Sequence, residues 1–329
     1  MSVYERPAYP CLMPRRLGVI MDPIAGIIPK KDTTLALLLA ASARGWELHY
    51  MEMKDLVLID GRACARTRPL AVHDSLEHWF DFEGPTVEVP EPLKRLDCVL
   101  MRKDPPFDME YVFATYMLER AQIDGTLIVN YPRSIRDANE KLFTAWFSEL
   151  CPPTIVTRCM RDLRSFLEAE RDIVIKPLDG MGGVSVFRVQ KGDANASVIF
   201  ETLTELEYRY CMAQRYLPAI AEGDKRILMI DGEPVPYALA RIPAEGELRG
   251  NLAAGGQGVA QALSASDRAI CDRVSSELKQ RGLIFVGLDV IGDKLTEINV
   301  TSPTCVREIE AQFDVDIGGR LMAAIDARL

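Results

Sequence analysis

Short apolar runs alternate with amphipathic stretches through the first part of the chain. Leu17 to Met21 reads as an apolar strand stopped by Asp22-Pro23, and Thr33 to Ala43 as a helix behind the cap Asp32. Strands are predicted at 47–53, 98–102 and 127–130, with a helix over 110–120 before the last. Strands separated by helices imply a parallel sheet with both faces covered. Ligands of such sheets gather beyond the carboxyl ends of strands, which nominates Asp22 and the run Arg102-Lys103-Asp104. No GxGxxG follows the first strand, so a nicotinamide-binding domain is disfavoured.

Tyr131-Pro132 reads as a hinge, because proline restricts its neighbour and the pattern changes after it. Asp137 and Glu140 form a capping-box-like start to a helix whose apolar face is Leu142, Phe143, Trp146, Phe147 and Leu150, with Lys141 in its first turn. Beyond it the pattern turns to strands, at 172–176, 184–190, 211–216, 226–231, 234–241, 284–290 and 295–300, with helices near 161–169 and 266–281. That is an α+β module following an α/β one. No internal repeat or low-complexity tract interrupts it.

A chain of 329 residues exceeds one ordinary domain and predicts two or three lobes. With 48% hydrophobic and 26% charged residues it has a globular composition, and no apolar run approaches the roughly 18 residues that span a bilayer. Residues 1–16 carry charge and prolines without a signal-peptide core, and read as a loose extension. A net charge of −9 argues against a general nucleic-acid binder. The eight cysteines are scattered without a CxxC pair, which fits neither a zinc site nor a disulfide framework and suits a reducing cytoplasm. With His49, His73 and His78 as the only histidines, a catalytic triad or a His-rich metal centre has little to work with, and each is assigned an ordinary role.

Against that background four segments stand out. Near the end, Asp289 lies on one apolar strand, and Glu297 and Asn299 on the next share a strand face. Oxygen ligands so placed suit Mg²⁺ bridging carboxylates to nucleotide phosphates. A two-residue Gly292-Asp293 loop would set Asp289 opposite Thr296, on the wrong face; a three-residue loop or a bulge would set it opposite Glu297. Earlier, two strands flank the loop Lys176 to Val184, whose glycines permit backbone amides to cradle phosphate, with Lys176 as a point charge. It is not a Walker A loop, since no Gly-Lys-Ser/Thr occurs and a strand follows. Tyr210 to Pro218 is an apolar strand ending that could hold adenine. Asp224 to Arg226, with Arg241 on the next strand, places cations where an anion could sit, and the glycine-rich connection 242–258 reads as a lid.

These residues resemble a known family, the ATP-grasp ligases, and within them the bacterial glutathione synthetases. The resemblance rests on Met-Asp-Pro-Ile at 21–24, Met-Arg-Lys-Asp-Pro-Pro-Phe-Asp at 101–108 and Asn-Glu-Lys-Leu-Phe-Thr-Ala-Trp-Phe at 139–147. It rests equally on Lys-Pro-Leu-Asp-Gly-Met-Gly-Gly at 176–183, Arg-Gly-Asn-Leu-Ala-Ala-Gly-Gly at 249–256 and Thr-Glu-Ile-Asn-Val-Thr-Ser-Pro-Thr at 296–304. It runs over residues 17–328, with Gln257 where the family pattern has Arg.

The resemblance implies an α/β pre-ATP-grasp domain over 17–136 and an ATP-grasp domain over 137–329. The latter divides into a first lobe to 215 and a second lobe carrying the lid and the metal site. It implies ligation of γ-glutamylcysteine to glycine through an acyl phosphate, with ATP as co-substrate, Mg²⁺ or Mn²⁺ as metal, and a cytoplasmic homotetramer. Lys141, Lys176, Asp179, Gly180, Met181, Gly182, Gly183, Gln214, Tyr216, Leu217 and Asp224 would then bind ATP, and Asp289, Glu297 and Asn299 the metal. Arg226 and Arg241 would stabilise developing charge; Asp22, Arg102, Thr301 and Ser302 would line the peptide site; Arg249, Gly250, Asn251, Gly255 and Gly256 belong to the lid. Two alternatives are another carboxylate–amine ligase of the same fold, such as a D-alanine–D-alanine or ribosomal-protein glutamate ligase, and a nucleotide-binding regulatory protein like the synapsins. The 104–108 and lid strings count against the first, and the intact phosphate and metal positions against the second.

Overall fold

The protein is described by a computed structural model over residues 14–244, 250 and 255–329. The first sheet has six strands, in the order Phe80–Phe82, Arg68–Val72, Glu47–Met51, Arg16–Ile20, Cys98–Met101 and Leu127–Val129. The last four run parallel, while the first two are antiparallel additions at one edge. The helices Thr33–Ala43 and Met109–Ile123 form where the pattern puts them, capped by the Asp32 and Asp108 carboxylates, which accept from Leu35 N and Tyr111 N. A small sheet of Leu56–Ile59, Arg62–Ala65 and Glu91–Pro92, absent from the sequence reading, stands beside this one.

Two antiparallel sheets follow. The four-stranded one runs Thr154–Thr157, Cys211–Arg215, Asp172–Pro177, Phe187–Gln190, and packs its apolar face on the helices Met160–Glu170 and Ala196–Thr204. The five-stranded one runs Gln257–Ala262, Glu233–Ile242, Asp224–Ile230, Phe285–Ile291, Lys294–Asn299. Its faces are covered differently. Ile227, Met229 and Leu288 pack on the helix Ala265–Gln280 with Phe143 and Phe147, while Leu228, Ile230 and Leu239 join the core of the first sheet.

The helix Ile317–Asp326 closes that shared core against Thr33–Ala43. The two helices meet so closely that a Cβ on Gly318 would lie 2.9 Å from Ala40 Cβ. Asn130 ties the same layers together. Its amide donates to Phe285 O and Val300 O at 2.7 and 2.8 Å and accepts from Phe285 N at 2.8 Å, so a buried polar side chain is fully used.

The capping box expected at Asp137 does not form. A short helix, Pro132–Asp137, ends there, and Asn139 Oδ1 instead accepts from Lys141 N and Leu142 N to start the 3₁₀ stretch Leu142–Leu150. Glu140, freed from capping, turns inward. The strand expected over 184–190 starts at Phe187, because Val184 and Ser185, the latter at φ +58, belong to the glycine loop.

Candidate active site

A cavity of about 700 Å³ opens between the four-stranded and five-stranded sheets and reaches the carboxyl ends of the first sheet. That is a volume suited to a nucleotide and a small second substrate. Its floor follows from strand periodicity. Asp224 and Arg226, two apart, share one face, and register sets Arg226 opposite Asp289 and Asp224 opposite Arg241, so opposite charges meet across strands. Lys225 points to the other face and pairs with buried Asp267.

The turn that decides Asp289's face has two residues, Gly292 and Asp293, with Gly292 at φ +61 supplying the positive φ such tight turns need. Taken alone it would misplace Asp289. A bulge corrects it: Val290 pairs with Leu295 but Asp289 with Glu297, leaving Thr296 as the extra residue, its hydroxyl on Asp289 O at 3.1 Å. Asp289, Glu297 and Asn299 therefore share the face that lines the cavity.

The floor is densely paired. Arg226 Nε and Nη2 donate to Asp289 Oδ1 and Oδ2 at 2.6 and 3.1 Å, and Arg241 Nη2 reaches Asp289 Oδ2 at 3.0 Å and also Asp224. A Cβ on Gly287 would fall 2.9 Å from Arg226 Cδ, so glycine there leaves space for the guanidinium. Burial pushes Asp289 upward, but the two guanidinium groups outweigh it and hold its carboxyl well below the usual carboxylate range. Asp224 goes the other way, pushed up to about 6, because burial outweighs an Arg241 whose charge is shared with Asp289.

Buried cations around the rim are less well matched. Lys176 is 9% exposed, its ammonium directed at Thr296 O 3.5 Å away, and burial pulls its pKa down. Arg102 is 5% exposed; its Nε donates to Thr34 Oγ1 and its Nη2 to Pro303 O, while Nη1 is buried without a partner. Lys141, by contrast, bridges Glu297 Oε1 at 3.0 Å and Gly180 O at 2.5 Å. A buried donor with no acceptor costs about 1–3 kcal/mol, so the spare donor capacity of Lys176 and Arg102 suits an anion that comes from outside the chain.

Of the expected site residues, all the described ones line this cavity except Asp179, Gly255 and Gly256. Asp179 is half exposed and paired with Arg209. Asp22 reaches the cavity but is held by Lys103 Nζ at 3.0 Å and Asp104 N at 3.1 Å. Of the lid, Arg249 and Asn251 lie outside the described residues. Gly250 is packed against the floor, where a Cβ would meet Arg241 O at 2.3 Å. Ile242, Gln257 and Gly258 belong to strands, so the connection is shorter than the 242–258 expected.

Sequence reasoning missed Glu140 and Glu308. Glu140 Oε1 accepts from Val300 N, Thr301 N and Thr301 Oγ1 at 2.8–3.0 Å, and burial with nearby Glu297 pushes its pKa up. Its place beside Lys141 in the Asn-Glu-Lys string was the available signal. Glu308 lines the cavity with one buried oxygen unpartnered, and nothing in its local sequence marks it.

Two antiparallel sheets enclosing a cleft with a glycine loop above and paired acids below define an ATP-grasp ligase. Solved structures agree on the fold: D-cycloserine synthetase is 18% identical, with a TM-score of 0.67 over 95% of this chain and 99% of that one. A RiPP-associated ATP-grasp ligase from Chryseobacterium gregarium, solved with ADP and a leader and core peptide, is 14% identical, with a TM-score of 0.65 over 96% and 98%. The chain belongs to the prokaryotic glutathione synthetases. The family's N-terminal domain model matches residues 16–136 and its ATP-grasp domain model residues 140–314. Curated glutathione synthetases from Citrobacter rodentium and Escherichia coli K12 are each 63% identical over 314 residues, 95% of this chain and 99% or 98% of theirs.

Proposed function

We propose that the protein makes glutathione, joining γ-glutamylcysteine to glycine at the expense of ATP. One observation carries the reading beyond family membership: buried Lys176 and buried Arg102, whose Nη1 has no partner, line the same cavity as the oxygen-bearing side chains Glu297 and Asn299. One chamber thus offers sites for phosphate, carboxylate and a hard cation.

The cysteinyl carboxylate attacks the γ-phosphorus of ATP, the bond to the β,γ-bridging oxygen breaks, and ADP leaves. The glycine amine then attacks the acyl carbon, phosphate departs, and the amine's extra proton is released. Lys141 and Lys176 bind phosphate oxygens beneath the loop 180–183, and Gln214, Tyr216 and Leu217 flank the base. Arg226 and Arg241 face the transferring group from a floor where Asp289 fixes their guanidinium planes. Donors held this way stabilise developing charge without reorganising, worth about 3 kcal/mol each. Arg102, with Thr301 and Ser302, holds a carboxylate of the dipeptide. No side-chain nucleophile is required.

The donor set fits a divalent ion. Glu297 and Asn299 turn oxygens to the cavity, Asn299 keeping its Oδ1 free by donating Nδ2 to Gly287 O at 3.2 Å, and Asp289 adjoins them ionised. Mg²⁺ or Mn²⁺ bound by these three would neutralise phosphate charge. Family resemblance adds a homotetramer and a cytoplasmic setting to the proposal; among the described residues no helix is long and apolar enough to cross a membrane. The test is ADP release by the purified protein, expected only when γ-glutamylcysteine and glycine are both present. Equal turnover with D-alanine, or none with any peptide, overturns the assignment.

A further inference from the structure

The hairpin between Arg68–Val72 and Phe80–Phe82 carries two of the chain's three histidines, and its fold brings them to one carboxylate. His73 Nε2 and His78 Nε2 lie 2.9 and 2.8 Å from the same Asp81 Oδ2, and the two rings stack with centroids 5.5 Å apart at 17°. One ligand atom from each residue falls within 4.8 Å of the others. The backbone enforces the arrangement: His73 N donates to Trp79 O, Ser75 N to His73 O, and Ser75 Oγ accepts from His78 N, which curls His78 back over His73.

We propose that His73, His78 and Asp81 form a binding site for one divalent transition-metal ion of the zinc type. Two imidazoles and a carboxylate suit Zn²⁺ or its neighbours, whereas Mg²⁺ and Ca²⁺ prefer all-oxygen sets. With metal–ligand bonds of about 2.0 Å, tetrahedral ligands stand about 3.3 Å apart, so the two histidine–aspartate separations of 2.9 and 2.8 Å need to open by only about 0.5 Å. Both imidazoles then carry their proton on Nδ1, and water takes the fourth position. None of the three residues lines the catalytic cavity.

The site is placed to act on the cleft's edge. Trp79 Nε1 donates to Ile24 O at 2.9 Å, and Asp74 pairs with Arg307 Nη2 at 2.9 Å, so the hairpin holds both the segment after Asp22 and the helix that bears Glu308. An ion here is a clip that stiffens those attachments rather than a participant in the chemistry.

The experiment is equilibrium dialysis of the full-length protein against ZnCl₂ in excess Mg²⁺, which occupies the oxygen-rich cleft, with metal measured by elemental analysis. One Zn²⁺ per chain is expected, bound at least about tenfold more weakly after His73→Ala/His78→Ala or Asp81→Asn. With Co²⁺ the wild type should show the visible bands of a nitrogen–oxygen tetrahedral site and no thiolate charge-transfer band. Equal Zn²⁺ in wild type and double variant overturns the site, as does no bound Zn²⁺ in the wild type. A thiolate band would overturn it too, by assigning the ion to cysteine. ADP release should be unchanged in the variants; its loss would show that the hairpin acts in catalysis and would overturn the clip.

Discussion

The floor and the rim of the cleft both bury cations, and treat them in opposite ways. On the floor Arg226 and Arg241 are ion-paired with Asp224 and Asp289, with one Asp224 oxygen left buried and unpartnered, whereas at the rim Lys176 and Arg102 touch no carboxylate among the described residues and keep donor capacity. The difference separates two tasks. Cations ion-paired with acids have their positions fixed before any ligand arrives, so they suit the stabilisation of charge that appears only during reaction. Incompletely paired ones destabilise the empty protein slightly and recover that cost when an anion binds, so they suit recognition.

The strongest way to break this comparison is Asp289→Ala. It leaves two guanidinium groups buried side by side with one acid between them, and should cost about 3–5 kcal/mol in urea unfolding besides abolishing ADP release. A loss under about 1 kcal/mol would mean that the floor is not mutually neutralised. Lys176→Met should behave in the reverse sense. It removes a buried charge without orphaning an acid, so the empty protein should be as stable as wild type or more so, while ATP binding weakens by about 10- to 100-fold, the worth of a charge-assisted hydrogen bond. Calorimetric titration with a non-hydrolysable ATP analogue reads the second effect; unchanged affinity would remove Lys176 from the phosphate site.

The two floor acids also give opposite pH signatures. Asp289's carboxyl is depressed in the fold, so its contribution is present above the unfolded value near 4 and disappears as pH falls through that value and below. Asp224's is raised to about 6, so its contribution is present below pH 4 and is lost as pH climbs from 4 through 6. Asp224→Asn abolishes that ionisation. Its stability relative to wild type should therefore rise by about 2 kcal/mol between pH 4 and pH 7 in urea unfolding. A flat difference would show that Arg241 fully compensates Asp224.

Which parts of this were legible in the sequence follows from the range of the forces involved. Period-2 alternation put Glu297 and Asn299 on one face, and Asp32 marked its helix, because both signals are local. The turn was not decidable: Gly292-Asp293 reads as a tight hairpin, and only the bulge at Thr296, which residue spacing does not reveal, brings Asp289 round. Edge strands such as Thr154–Thr157 and Gln257–Ala262 are partly exposed and lack the apolar density that marks buried ones. The helix Ile317–Asp326 was obscured by Gly318-Gly319, which weaken a helical pattern but here permit contact with Ala40. The pairing of His73 and His78 with Asp81 depends on hairpin curvature, which spacing alone does not reveal.

Glu140 gives the smallest expected effect and separates rim from floor most finely. Its single oxygen gathers three donors from the 300–301 segment, and its backbone O accepts from Ile298 N at 2.8 Å, so it holds the strand end that leads from Glu297 toward Ser302. Glu140→Gln preserves the accepting oxygen but replaces the other with an NH₂ group, weakening charge-assisted bonds to ordinary ones at a cost of about 1 kcal/mol. If Glu140 positions the dipeptide-binding segment, KM for γ-glutamylcysteine should rise about fivefold while KM for ATP stays fixed, since a 1 kcal/mol change moves an equilibrium constant by about that factor. Equal rises in both constants would instead place Glu140 with Lys141 at the phosphates, and the boundary between recognition and catalysis would have to be redrawn through the 139–141 turn.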